Sequence, residues 1–162
     1  MGALLLVGGI WVRLNLVRVQ GGAMSPSLQD QDILFVKRSG FDPAKLTRGE
    51  IVMYKANLPG YAEVEAVARI VGLPGETIKI SDGKVWLNGT RLPEEYLGLG
   101  TETRIKKGQA DEVTLGGREY FVMGDDRVVS IEGDSREFGP IPAEKISGKV
   151  SAIVWKNLTN YD

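Results

Sequence analysis

The strongest constraint on the fold is punctuation: short runs of branched and aromatic residues are repeatedly cut off by glycine and proline, of which the chain has 21 and 7. Such a pattern builds brief strands joined by tight turns and predicts a mainly antiparallel β fold. Strands are expected at residues 14–20 (LNLVRVQ), 32–37 (DILFVK), 50–54 (EIVMY), 77–80, 85–87, 120–123 and 149–155. Paired glycines at Gly21-Gly22 require a turn over residues 21–26, and Pro59-Gly60 breaks the chain again. Asp82-Gly83 marks the plainest hairpin, with a second turn at Asn88-Gly89. Residues 63–71 (EVEAVARIV) fit neither the helical nor the strand period cleanly, and the stop at Gly72-Leu73-Pro74-Gly75 favours a short strand.

The length, 162 residues, suits one domain with a small elaboration. Residues 14–80 and 118–158 are expected to form the core. Residues 81–117, more polar and holding Glu94, Glu95, Glu102, Lys106, Lys107, Asp111 and Glu112, read as a small cap or extended insertion. Residues 1–13 form an apolar arm. Its stretch 2–12 (GALLLVGGIWV) is far short of the roughly 20 residues of a membrane helix, and Arg13 stops it. Two readings stand: a buried first strand or helix, or the remnant of a membrane segment. A cleaved signal peptide fits poorly, because no basic region precedes the apolar stretch.

Composition narrows the chemistry. The chain has no Cys and no His, which removes disulfides, thiolate nucleophiles, Cys/His zinc sites and imidazole bases. Acid–base work would fall to Lys, a carboxylate or Tyr with a shifted pKa. A net charge of -1 offers no basic field for a nucleic acid. The acidic group Asp125, Asp126, Glu132 and Asp134 lacks the spacing of a calcium loop and has arginines beside it. Gly72-Leu73-Pro74-Gly75 is no phosphate loop, since no Lys-Ser/Thr comes after it. No metal, cofactor or nucleic acid is expected.

Four segments, in order, carry a resemblance. Gly22-Ala23-Met24-Ser25-Pro26-Ser27-Leu28 is similar to a nucleophile motif of the form Gly-x-Ser-Met-x-Pro-Thr-Leu. Arg48-Gly49-Glu50-Ile51-Val52 matches Arg-Gly-Asp-Ile-Val, and Ala68-Arg69-Ile70-Val71-Gly72-Leu73-Pro74-Gly75-Glu76 matches Lys-Arg-Val-x-Gly-x-Pro-Gly-Asp. Gly124-Asp125-Asp126-Arg127, Ser130, Asp134-Ser135-Arg136 and Gly139 match Gly-Asp-Asn-Arg-x-x-Ser-x-Asp-Ser-Arg-x-x-Gly. Together they resemble the bacterial type I signal peptidases, membrane-bound serine proteases that use a Ser-Lys dyad. The resemblance implies a signal peptidase or LexA-like core of antiparallel sheets with a small inserted cap. It also implies cleavage of signal peptides after small residues (Ala-x-Ala) on the outer face of the cytoplasmic membrane, with signal peptides and the lipid surface as partners.

The departures are informative. Carried over by position, the nucleophilic serine falls on Ala23 and the general-base lysine on Ala68, 45 residues later. A serine hydroxyl is a weak nucleophile until a neutral amine takes its proton, and the amine is neutral only where apolar burial lowers its pKa. Alanine does neither, so turnover by this route is expected to be absent. Ser25, Ser27 and Lys37 have no expected geometry for rescue.

By the same resemblance the Ala23 backbone N–H serves an oxyanion hole, with the second donor at the Gly21 position. Ser130 matches the residue that orients the lysine. Arg69, Asp125, Arg127, Asp134 and Arg136 support the site through salt bridges, although Ile131-Glu132-Gly133 makes the loop two residues longer than the pattern. Met24, Pro26, Leu28 and Leu34 are candidate substrate-binding residues. The paired alanines are explained either by an enzyme whose serine and lysine were replaced, or by a natural non-catalytic homologue that binds peptides or a partner. A LexA-like repressor would carry a DNA-binding domain and a self-cleavage loop, and neither is visible in the sequence.

Overall fold

The computed structural model describes residues 3–7, 10–56, 63–105 and 108–157. The described residues form three antiparallel sheets with almost no helix, as the punctuation predicts. At the N-terminus β1 (Ala3–Val7) pairs with β2 (Ile10–Leu14), so the described part of the apolar arm is a pair of strands. Among the described residues no helix is long and apolar enough to cross a membrane.

The large sheet has seven strands. They are β3 (Leu16–Arg18), β4 (Ile33–Lys37), β5 (Ile51–Ala56), β6 (Val64–Gly72), β11 (Glu119–Met123), β12 (Ile141–Pro142) and β13 (Ile146–Trp155). Their order across the sheet is β12-β11-β6-β5-β13-β4-β3. The ambiguous run 63–71 is therefore a strand, and it pairs with β5 from Val64 to Arg69. The residues predicted at 14–20 divide between the end of β2 and the short β3. The expected break at Pro59-Gly60, and Lys106 and Lys107, lie outside the described residues.

The small sheet, ordered β10-β7-β8-β9, joins β7 (Thr77–Ser81), β8 (Lys84–Leu87), β9 (Thr90–Arg91) and β10 (Glu112–Thr114). Asp82 and Gly83 at the β7–β8 turn both have positive φ, 52° and 72°. A two-residue turn of that hand matches the strand twist, which is why Asp-Gly is a reliable hairpin signal. The sheet begins at Thr77, within the stretch read from sequence as core.

Strand alternation distributes the apolar residues to three packed layers. Val52, Tyr54, Ala68, Ile70, Tyr120 and Val122 fill one face of the large sheet. On the other face Met53 meets Val19, Met24, Leu28, Leu34 and Val36. Val71, Phe121 and Met123 continue that opposite parity toward the small sheet, where they pack on Ile78, Ile80 and Val85. Burying both faces of β5, β6 and β11 explains why their sequences are nearly continuous in apolar residues rather than alternating.

Candidate active site

Ala23 and Ala68, remote in sequence, line one groove of about 530 Å³ together with Ser130. Ala68 lies on β6, 1% exposed, with its side chain in the cluster of Val52, Tyr54 and Ile70. Ala23 is half-buried on the turn after β3. That turn is closed by hydrogen bonds from Ser25 N–H to the Gly22 carbonyl (2.9 Å) and from Leu28 N–H to the Met24 carbonyl (2.9 Å). It is joined to the 124–130 loop by Asp126 N–H donating to the Ala23 carbonyl at 3.1 Å.

Gly124 permits this junction. A Cβ there would lie 2.3 Å from the Ser130 Cβ and 2.4 Å from the Ala23 oxygen, so only glycine lets the two segments meet. Ser130 is buried. Its hydroxyl donates to the Asp126 carbonyl (2.6 Å) and accepts from Arg136 Nη2 (2.8 Å).

The charged residues form two buried assemblies. Arg69 donates to Asp125 through Nε (2.8 Å) and Nη2 (2.5 Å), to the Gly49 carbonyl (2.8 Å) and to Ser27 Oγ (3.0 Å). Its guanidinium also stacks 4.2 Å from the Tyr96 ring centre. In the second assembly Asp134 caps the short α1 (Ser135–Phe138), accepting from Arg136 N–H at 3.0 Å, and pairs with Arg136 Nη2 at 2.7 Å. It also accepts from Gly124 N–H at 3.1 Å. Asp134 and Arg136 thus pair with each other at the end of the longer loop.

Arg127 does something the sequence did not indicate. Its Nη1 donates to Thr103 (2.6 Å) and its Nη2 to Glu94 (2.6 Å), both in the inserted segment, while Nε holds the Gly124 carbonyl (3.0 Å). Glu94, Tyr96 and Thr103 therefore contact the arginines beside the groove; only their polarity hinted at it. Burial and the Glu94 carboxylate push the Tyr96 phenol upward, and burial with the Asp134 carboxylate does the same to Tyr54. Tyr54 OH donates to the Gly133 carbonyl at 2.6 Å, and the ring sits beside the groove.

Three expectations are corrected. Leu28 (1% exposed) and Leu34 (0%) are core side chains packed on Val36 and Met53, and neither lines the groove. Pro26 is exposed but faces a neighbouring hollow, leaving Met24 as the groove residue of the four. The Gly21 amide is engaged rather than free at the second oxyanion position: it donates to Asp30 Oδ1 at 2.8 Å, in a turn where Gly21 has φ 80°. The Ala23 N–H has no hydrogen-bond partner among the described residues.

The apolar walls of the groove include Val17, Val19, Met53, Val64, Ala66 and Val67, none evident from the motifs. Two strand edges face it. β6 pairs with β11 only over Arg69–Gly72, which leaves its edge open from Val64 to Ala68, and β3 is the terminal strand of the sheet.

Residues 1–155 match the family described as signal peptidase, peptidase S26. The chain belongs to the signal peptidase family. It is 33% identical to signal peptidase I T of Bacillus subtilis over 136 residues, covering 80% of this chain and 68% of that protein. Signal peptidase IB of Staphylococcus aureus is 29% identical over 154 residues, 85% of this chain and 75% of the relative. A solved signal peptidase I from Enterococcus faecalis superposes with a TM-score of 0.52 at 26% identity, covering 66% of this chain and 97% of that one. The mainly β core with its small insertion is thus a signal peptidase fold that carries alanine at positions 23 and 68.

Proposed function

We propose that the groove binds the end of a signal peptide as an extended strand, and that the chain as written holds the peptide without cleaving it. The observation that carries this reading is the convergence of Ala23, Ala68 and Ser130 on one apolar groove flanked by open strand edges. Exposed strand edges recognise extended peptides by main-chain hydrogen bonds, and shallow apolar pockets then select small side chains such as those of Ala-x-Ala.

In the parent chemistry a serine at position 23 attacks the scissile carbonyl while a lysine at position 68 takes the hydroxyl proton. Burial of position 68 among Val52, Tyr54 and Ile70 would keep that amine neutral. The unengaged Ala23 N–H would stabilise the oxyanion, and Ser130 would orient the lysine. At the far end of β13, Ile153, Val154 and Trp155 are exposed at successive positions, which supports resting on the outer surface of the cytoplasmic membrane.

The double substitution Ala23→Ser with Ala68→Lys is expected to restore cleavage of a signal-peptide substrate after Ala-x-Ala, and either single substitution to leave it absent, because the two groups act as a unit. A non-catalytic homologue is favoured by the Gly21 amide being taken by Asp30 and the Ser130 hydroxyl by Asp126. Peptide binding without cleavage in the double variant would decide for it. Loss of both would overturn the peptide-groove reading.

A further inference from the structure

The two segments that wall the groove also wall a second hollow of about 750 Å³. Ala23 and Met24 face the groove, whereas Ser25 and Pro26 face the hollow; Gly124 and Ser130 face the groove, whereas Asp125, Asp126 and Val128 face the hollow. The opposite wall comes from residues 98–104 of the inserted segment, which Arg127 ties to the core through Thr103 and Glu94.

The two spaces differ in chemistry. The groove is lined mainly by valine, methionine and alanine, with Arg18, Gln20, Glu65 and Asp134 beside them, while the hollow has fewer apolar side chains, Pro26 and Val128, and presents Ser25, Thr101, Glu102, Arg104 and Asp126. Most of the hollow's charges are matched: Asp125 by Arg69, Arg127 by Glu94, and Glu102 by Arg104 at 3.0 Å. Asp126 is the exception. Its Oδ1 accepts from Val128 N–H (3.1 Å) and Val129 N–H (2.9 Å), but no cation among the described residues pairs with it.

We infer that this hollow receives the first residues beyond the junction, the mature side of the preprotein, and favours a basic side chain there opposite Asp126. The inference rests on the peptide-groove reading, which assigns the apolar signal end to the groove and so leaves the polar hollow for the residues C-terminal to the junction. The inserted segment thereby becomes part of substrate recognition rather than a remote cap.

The test uses fluorescein-labelled peptides and anisotropy on the full chain. One peptide stops at an apolar Ala-x-Ala end; two others continue for four residues containing either two Lys or two Glu. The Lys extension is expected to bind about 2- to 5-fold tighter than the Glu extension, the range of a partly exposed ion pair, with the difference shrinking at high salt. Asp126→Asn is expected to bring the Lys/Glu ratio toward one. Equal binding of all three peptides, or an unchanged ratio in Asp126→Asn, would overturn this inference while leaving the groove reading intact. If even the short peptide fails to bind, the groove reading itself falls.

Discussion

Gly124 is the residue on which the site's geometry turns, since it lets the Ala23 carbonyl, the Ser130 side chain and the Asp134 carboxylate crowd around one backbone position. Its φ is not positive, so the requirement is for space and not for an unusual backbone angle. Adding a methyl must push the 124–130 loop away from Ala23. Gly124→Ala is expected to destabilise the fold by about 1–3 kcal/mol, the usual cost of overpacking, and to weaken peptide binding further than that loss of stability explains. Urea unfolding and peptide anisotropy on the same sample separate the two effects. Ala68 shows the complementary case. Its burial in an apolar cluster is tolerated by a methyl at no electrostatic cost, whereas a lysine there would have to lose its charge.

Among the elements, β6 does most. It sits inside the large sheet, carries Ala68 toward one core layer and Val67 toward the other, positions Arg69 on Asp125, and leaves its first half unpaired on the groove side. Ion pairs fasten it and its neighbours to the rest of the sheet. The Arg38 guanidinium holds the Glu65 carboxyl below its ordinary value, against some burial. Burial pushes Glu76 and Glu50 upward, but Arg48 and Leu73 N–H on the first, and Lys149 and Thr47 N–H on the second, outweigh it, so both end lowered. A carboxyl lowered on folding binds fewer protons folded than unfolded. Its contribution is therefore present above the unfolded value of about 4.3 and lost as pH falls through the folded value. The urea midpoint should hold from pH 7 to about 5 and drop below about 4.3, with a shallower drop in Glu65→Gln. An identical acid limb in that variant would exclude the Arg38–Glu65 pair as a contributor.

At the scale of the whole molecule, the inserted sheet and the large sheet are joined by one apolar layer and by the guanidinium of Arg127, whose side chain is 0% exposed. Replacing it strands Glu94, which is itself nearly buried. Arg127→Met is expected to cost about 3–5 kcal/mol, as for a broken buried pair, and to raise amide exchange in residues 94–104 more than in β5 and β6. Uniform loss of protection would instead mean that the two sheets unfold as one unit. Much of the architecture was legible in the sequence, because strand length, alternation and turn chemistry are local: Asp82-Gly83 and Asn88-Gly89 adopt the positive φ that such residue pairs favour. Residues 63–71 were ambiguous because a strand buried on both faces loses its alternation. The short β10 and β12 carried too few residues to give a period.

The sequence alone determined the family motifs, the antiparallel β class and the absence of a hydroxyl at 23 and an amine at 68, since these depend on residue identity and near neighbours. Only the tertiary structure decided that Leu28 and Leu34 are core, that Asp30 occupies the Gly21 amide, and that Arg127 reaches across to Glu94 and Thr103. Those outcomes depend on which layer a strand packs against and on contacts between segments far apart along the chain. No local preference encodes them, because the same side chain is pocket, core or clamp according to what the fold brings opposite it.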